Sequence, residues 1–233
     1  MYRKELNDRN PLRLFEHSIH GGLGRGNIGV VVARHGIGKT AFLVGIALDE
    51  AMRDRKVLHV SLDNTVDHLR EFYDEIFMDL AHAAHLEDLP TERLDMERNR
   101  MIHTYAGKSF TIHKLRHSIS FLKEYAHFDP VCLIMEGFDF ERATLEDMQA
   151  FQQLARDFNV EMWLSAVTHR GAASTDDGIP EPIGKCAAAI AVIVEMVDYN
   201  DGVHLALLKD HDNPNVAKLT LALDPATMLL IAK

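Results

Sequence analysis

One glycine-rich segment, set between an apolar strand pattern and an apolar helix pattern, constrains this chain most. Residues 33–40 read ARHGIGKT, follow the β-branched run IGVVVA at 28–33, and precede a largely apolar helical pattern at 40–52. The segment matches the phosphate-binding pattern GxxxxGK[ST] at every defined position except the first, where Ala33 replaces glycine. A strand that leads through such a loop into a helix predicts an α/β fold.

The chemistry of phosphate binding explains the residue types in this loop. Gly36 and Gly38 let the backbone curl, so that successive N–H groups point at phosphate oxygens, and the following helix adds its positive end. Lys39 is expected to reach the β- and γ-phosphates, and the Thr40 hydroxyl to ligate Mg²⁺. The alternative, a chance glycine-rich turn, is disfavoured by the strand–loop–helix context. The predicted nucleotide contacts are Arg34, His35, Gly36, Ile37, Gly38, Lys39, Thr40 and Ala41.

Strand and helix patterns alternate along the first two thirds of the chain. Further strand patterns cover 57–62, 101–105, 131–135 and 160–167, and helical patterns cover 66–83, 91–100, 111–127 and 144–158. Short connections between alternating elements predict a parallel sheet covered by helices on both faces. The remaining strand patterns, 187–197, 203–209, 218–223 and 228–232, predict antiparallel strands added to one edge. We expect one domain over residues 1–233, in which 1–17 form an N-terminal extension.

The charge balance argues against a nucleic-acid partner. Lys and Arg number 25 against 35 Asp and Glu, a net charge of −10, which repels phosphates on average. The polar loop at 171–185 carries Asp176, Asp177 and Glu181 against a single lysine, and it has no aromatic residue for stacking on bases.

Cysteine usage and apolar runs predict the compartment. Cys132 and Cys186 lie in apolar stretches, as buried reduced cysteines do. The segment MYRKELNDRN lacks the apolar core of a signal peptide, and the longest apolar run, 186–194, is too short to span a bilayer. We expect a cytoplasmic protein with no membrane association.

The chain resembles a branch of the RecA-like ATPases. The segment HGGLGRGNIGVVVARHGIGKTAFLVGIAL, followed by KVLHVSLDN, is similar to the KaiC clock proteins and to the motor domain of DnaB-type replicative helicases. In that branch a GG-L-x-x-G turn precedes the first strand and the P-loop often begins with Ala-Arg, as here. The resemblance continues through VCLIMEGFD and WLSAVTHR to LALLKDHDNPN, about residues 18–225. It implies a RecA-like P-loop NTPase fold that binds ATP and Mg²⁺.

The resemblance also implies catalytic roles, with departures. The branch places a catalytic acid, usually Glu, after the second strand, where this chain has Asp63, one methylene shorter and therefore a poorer holder of the attacking water. The Walker B position, normally an Asp facing the metal's water shell, is Glu136, with Asp139 as a nearby substitute. With Lys39, Asp63 and Glu136 form the implied catalytic set, and Thr40 and Glu136 the metal set. Ser165 corresponds to the γ-phosphate sensor, with Thr168 in the same region.

The resemblance further implies a finger that acts on the neighbouring subunit. The branch uses a Lys-x-Arg pair, and this chain has Lys209 and His211 at the corresponding positions. An arginine finger is worth orders of magnitude in rate, and a histidine stabilises the developing charge less well. The departures at 63, 136 and 211 together predict tight nucleotide binding and slow hydrolysis in a homo-oligomer such as a hexameric ring.

Three functional hypotheses follow. The first is a Mg²⁺-dependent, KaiC-like ATPase with slow hydrolysis that serves as an oligomeric, nucleotide-dependent switch. The second is a module that binds nucleotide without hydrolysing it and passes the signal to an unidentified protein partner. The third, which the acidic charge disfavours, is an ATPase accessory to DNA recombination or replication.

Overall fold

The strands form one mixed sheet. The computed structural model describes residues 3–105 and 109–233. Within these ranges the strands are β1 (Ile28–Ala33), β2 (Val57–Ser61), β3 (Arg100–Thr104), β4 (Cys132–Glu136), β5 (Glu161–Val167), β6 (Val192–Tyr199), β7 (Gly202–Asp210), β8 (Leu221–Leu223) and β9 (Leu230–Ala232). Their order across the sheet is β3-β2-β4-β5-β1-β6-β7-β8-β9. Strands β3 to β6 in this order are mutually parallel, and β7 to β9 continue antiparallel, which confirms the predicted fold class.

The structure corrects the expectation for residues 187–197. The first part of this range belongs to a 3₁₀ helix, Gly184–Ala189, and β6 begins only at Val192. Strand β6 pairs in parallel with β1, so it belongs to the central sheet and only its other edge is antiparallel. A short run of small apolar residues, KCAAAIA, has no periodicity that separates helix from strand. The long connection from β5 returns the chain to the amino edge of β1, which makes the parallel pairing possible.

Helices cover both faces of the sheet. They are α1 (Arg3–Arg9), α2 (Leu12–Ser18), α3 (Lys39–Met52), α4 (Val66–Ala84), α5 (Leu89–Asn99), α6 (Ile112–Tyr125) and α7 (Leu145–Phe158). Threonines 65, 111 and 144 precede α4, α6 and α7, and each accepts a hydrogen bond from a backbone N–H of the first turn. These caps fix where the three amphipathic helices begin. No helix of the described residues is long and apolar enough to cross a membrane.

The strand at the centre of the sheet has an apolar cluster on each face. All six residues of β1 are buried, because β1 lies between β5 and β6 and is covered on both sides. One cluster joins alternate strand residues to α3 and the N-terminal helices, and the other joins the remaining strand residues to α6 and α7. The buried Trp163 of β5 occupies the space that a side chain at Gly29 would fill, since a Cβ there would lie 2.6 Å from its ring.

The two N-terminal helices pack onto this core. Leu6, Leu12 and Phe15 are buried, and the Phe15 ring lies 5.5 Å from that of Phe42 and 5.8 Å from that of Trp163, measured between ring centroids. The sequence predicted only an extension here, because two seven-residue helices are too short to show a clear apolar period.

A buried carboxylate joins the N-terminal helices to α3. Asp49 of α3 accepts a hydrogen bond of 2.9 Å from Asn10 Nδ2 and forms ion pairs with Arg13 and Arg53. A buried charge is tolerated where it is paired in this way.

Candidate functional site

A cleft opens at the carboxyl ends of the parallel strands. Strands β1, β2, β4 and β5 all point toward it, and its volume is about 610 Å³. In open α/β sheets, ligands bind beyond this edge of the sheet. Of the residues predicted from the sequence, the lining includes His35, Gly36, Gly38, Lys39, Thr40, Asp63, Glu136, Asp139 and Ser165.

The glycine-rich loop forms the floor of the cleft and leads directly into α3. Gly36 and Gly38 have φ values of +79° and +103°, a left-handed region that favours glycine. Gly38 is also closely packed, since a Cβ there would lie 2.4 Å from Met228 Cε and 3.0 Å from Leu223 Cδ1. The loop conformation is therefore joined to the C-terminal strands as well as to β1.

Lys39 begins α3 and folds back over the loop. Its Nζ donates hydrogen bonds to the carbonyl oxygens of Arg34 at 3.1 Å and Ala33 at 3.3 Å. Burial lowers the pKa of Lys39, while the carboxylates of Glu136 and Asp63 oppose that shift. The ammonium therefore lies within electrostatic range of both predicted catalytic acids.

Asp63 is held in place by its own strand end. Its Oδ1 accepts hydrogen bonds from Ser61 Oγ at 3.0 Å and from Asn64 Nδ2 at 3.2 Å, and the Asn64 backbone N–H donates to Ser61 Oγ at 2.9 Å. Gly137, with φ of +79°, makes room for this carboxylate, since a Cβ there would lie 2.8 Å from Asp63 Cγ. Asp63 is consequently fixed against the strand that follows Glu136.

Glu136 ends β4, next to Ser61 in the register of the sheet. It is buried, and its Oε2 atom has no hydrogen-bond partner among the described residues. Glu136, Thr40 and Asp139 bring carboxylate and hydroxyl oxygens to one cleft, which are the donors that Mg²⁺ prefers. An unpartnered buried carboxylate oxygen at that place fits a site for this cation.

The remaining predicted contacts divide between the cleft and its surroundings. Ser165 of β5 lines the cleft opposite Val31, whereas Thr168 donates its hydroxyl to the Glu181 carbonyl at 2.9 Å and lies outside the lining. Ala41 faces away, into an apolar cavity of about 260 Å³ beneath α3. Arg34 is exposed and Ile37 partly buried, and neither lines the cleft.

Lys209 and His211 lie at the opposite edge of the sheet. Strand β7 runs antiparallel to β6, so its end is at the amino edge, where Asp210 pairs with Val192. Lys209 Nζ donates to the Ala187 carbonyl at 2.7 Å. The structure therefore separates these two residues from the cleft of their own chain.

The His211 ring is held on both sides. Its Nδ1 lies 2.8 Å from Asp210 Oδ1 and its Nε2 lies 3.0 Å from the Leu23 carbonyl oxygen. Burial alone would lower the pKa of His211, but the hydrogen bonds from Asp210 and Leu23 outweigh it and raise that pKa.

Several cleft residues were not predicted from the sequence. Gly137 follows the apolar run of β4 directly, and a glycine there is a signal that an acid lies close to the backbone. Nothing in the sequence indicates Met228, because it reaches the loop from β8 and β9 by tertiary packing. The others are Asn64, His68, Phe72, Phe138, Phe140, Glu141, Val167, His169 and Pro182.

The comparisons with known proteins agree on the fold. No protein-family model matches this chain, and no curated protein matches it either. Among solved structures, the ATPase domain of a DnaB-like helicase superposes with a TM-score of 0.68 at 15% sequence identity, and the match covers 92% of this chain and 87% of that one. At this identity the similarity shows the fold, which is RecA-like with a mostly parallel sheet.

Proposed function

We propose that this chain binds ATP with Mg²⁺ in the cleft and hydrolyses it slowly. The observation that carries the proposal is the convergence of Lys39, Asp63 and Glu136 at the carboxyl ends of three strands that are distant in sequence. A phosphate-binding loop with two carboxylates facing its lysine is the arrangement that phosphoryl transfer to water requires. The fold shared with the helicase ATPase domain supports the same function.

The residues divide the work by their chemistry. The N–H groups of the loop and the Lys39 ammonium bind the phosphates, and Thr40 and Glu136 supply oxygens to Mg²⁺. The cation, when bound, neutralises charge on the phosphates. Asp63 orients the attacking water, and Ser165 contacts the γ-phosphate.

The environment of Asp63 supports slow turnover. Its Oδ1 already accepts two hydrogen bonds, which leaves Oδ2 as the oxygen that can orient water. The aspartate also reaches one methylene less far than glutamate. Misplacing a reacting group by about 1 Å can cost roughly 10²-fold in rate.

The finger residues act on a second copy of the chain. The cleft and Lys209 lie at opposite edges of the sheet, about 17 Å apart along β1 at roughly 3.3 Å per residue. Lys209 therefore reaches a nucleotide only when subunits assemble with one edge facing the other. We propose a homo-oligomer in which nucleotide state changes assembly or the binding of a protein partner.

A second candidate function is nucleotide sensing without hydrolysis. It is favoured by His211, whose two ring nitrogens are both engaged within the chain and so not offered to a neighbour. The double variant Asp63→Glu with His211→Arg separates the two functions. An increase in turnover indicates that the chemistry was lost at these positions, and unchanged turnover contradicts this mechanism for a sensing module.

The primary experiment measures ATP turnover and light scattering on the same samples with Mg²⁺. We expect slow turnover and ATP-dependent assembly in the wild type, and neither in Lys39→Ala. Arg34→Ala, at an exposed position outside the cleft lining, is the matched control. Nucleotide binding without turnover would favour the sensing module, and assembly that ignores ATP would contradict the switch. We expect no binding to DNA at low salt.

A further inference from the structure

A buried histidine lies directly behind the carboxylate that ends β4. His59, in the middle of β2, is fully buried, and its Nε2 lies 3.5 Å from Glu136 Oε2. Neither atom has a hydrogen-bond partner among the described residues, although both are shielded from solvent. Leaving a buried polar group unpaired costs about 1–3 kcal/mol, so two such atoms facing each other at this distance require a reason.

The other side of the imidazole decides which nitrogen carries the hydrogen. His59 Nδ1 lies 2.9 Å from the Tyr73 hydroxyl oxygen. Burial raises the pKa of Tyr73 above its ordinary value, so the hydroxyl keeps its proton and can donate it to Nδ1. A neutral imidazole has one donor and one acceptor nitrogen, which leaves the hydrogen on Nε2, facing a carboxylate that only accepts.

The tyrosine is itself fixed from behind. The guanidinium carbon of Arg100, at the start of β3, lies 4.4 Å from the centroid of the Tyr73 ring. Arg100 is buried and pairs with Glu97 at 2.6 Å. A continuous series of buried groups thus leads from α5 through Tyr73 and His59 to Glu136.

We propose that His59 is a positioning residue for Glu136. Its Nε2–H holds Glu136 Oε2 and thereby orients the carboxylate toward Mg²⁺ and nucleotide in the cleft. A contraction of about 0.5 Å brings the two atoms to ordinary hydrogen-bond distance. This inference rests on the proposed function, and it predicts a role in metal affinity, since loss of a group that orients a metal-binding carboxylate typically costs 10–100-fold.

The test measures how much Mg²⁺ is needed for half-maximal binding of a fluorescent ATP analogue. We expect His59→Leu to raise this concentration about 10–100-fold, while binding in EDTA stays as in the wild type. His59→Gln retains a donor amide and should recover part of the loss. Tyr73→Phe removes the donor to Nδ1 and should give an intermediate value.

Leu58→Ala is the matched control, because Leu58 is buried on the opposite face of β2 and its loss weakens the core without touching Glu136. An unchanged Mg²⁺ requirement in folded His59→Leu, or an equal rise in Leu58→Ala, overturns the positioning role. If the wild type shows no Mg²⁺-dependent nucleotide binding, the proposed function fails first, and the two failures are thereby distinguished.

A spectroscopic measurement tests the geometry independently of binding. Imidazole ¹⁵N shifts, assigned to His59 by comparison with His59→Gln, should show hydrogen on Nε2 and a bare Nδ1. Tyr73→Phe should weaken this preference. A ring protonated on Nδ1 alone would overturn the proposal.

Discussion

At the scale of single residues, the loop sequence predicted its chemistry but not its neighbours. The glycines at 36 and 38 and the lysine at 39 follow from what a phosphate requires of a backbone, and the structure places them on the floor of the cleft. The roles of individual residues stay predictions. The contact between Gly38 and Met228 was beyond sequence reasoning, because the two positions are far apart in the chain and only tertiary packing unites them.

The two loop glycines should differ in tolerance. Gly36→Ala adds a methyl that meets nothing within 4 Å, so it costs only the left-handed conformation, about 1–2 kcal/mol. Gly38→Ala adds the overlap with Met228 and Leu223, and we expect a further loss of about 1–3 kcal/mol in the free energy of unfolding. Urea denaturation measures both variants. Equal losses would mean that the Met228 side chain moves aside freely.

A buried glutamate should make stability depend on pH. Burial raises the pKa of Glu50 to about 7, with Arg55 opposing the shift. The folded state therefore keeps a proton that the unfolded state releases above its own, lower pKa. This contribution is fully present below about pH 4.5 and is lost as pH rises through about 7.

Glu50→Gln removes that dependence. We expect the variant to match the wild type near pH 4.5 and to exceed its free energy of unfolding at pH 8 by on the order of 2 kcal/mol. The exposed Glu5→Gln is the control and should follow the wild type throughout. If Glu50→Gln is instead less stable at pH 8, its ion pair with Arg55 outweighs the cost of burial.

At the scale of elements, the apolar periods identified most strands and helices, with ends that moved by one to three residues. The method worked where a buried face spans several turns, as in α4 and α7. It failed for α1 and α2, whose two turns give no period, and for the 3₁₀ helix at 184–189, whose alanines suit either state. These short elements depend on contacts with the rest of the fold.

Helix α2 offers a matched pair of substitutions. Phe15 is 2% exposed and packs against Phe42 and Trp163, while its neighbour Leu14 is 49% exposed. We expect Phe15→Ala to lower the free energy of unfolding by about 3–5 kcal/mol, and Leu14→Ala by well under about 1 kcal/mol. Thermal melts followed by circular dichroism decide this. A small loss in Phe15→Ala would show that α2 contributes little to the core.

At the scale of the whole molecule, the central parallel sheet was predictable because alternating strand and helix patterns admit few topologies. The direction of β6 was not, since strand patterns carry no information about which neighbour they join. That direction matters, because it puts the end of β7 at the amino edge and the finger residues away from the cleft. The single-domain boundary 1–233 stays a prediction.

This separation predicts complementation between two inactive variants. Lys39→Ala lacks a working site but keeps Lys209, and Lys209→Ala keeps the site but lacks the finger. Mixed together, the two should form assemblies whose ATP turnover exceeds the sum of the separate samples. Circular dichroism must first show that Lys209→Ala still folds after losing its bond to Ala187. Turnover that is only additive would contradict action between subunits.

Trp163 is the only tryptophan in the sequence, and the fold places it between Gly29 and the ring of Phe15, 2% exposed. Its emission should therefore be blue-shifted in the native state and should move to longer wavelength when the N-terminal helices leave the sheet. Because the indole lies in the core cluster and not in the cleft lining, the signal follows the docking of α2 and not nucleotide occupancy. The chain thus carries a built-in optical reporter of one of its own joints.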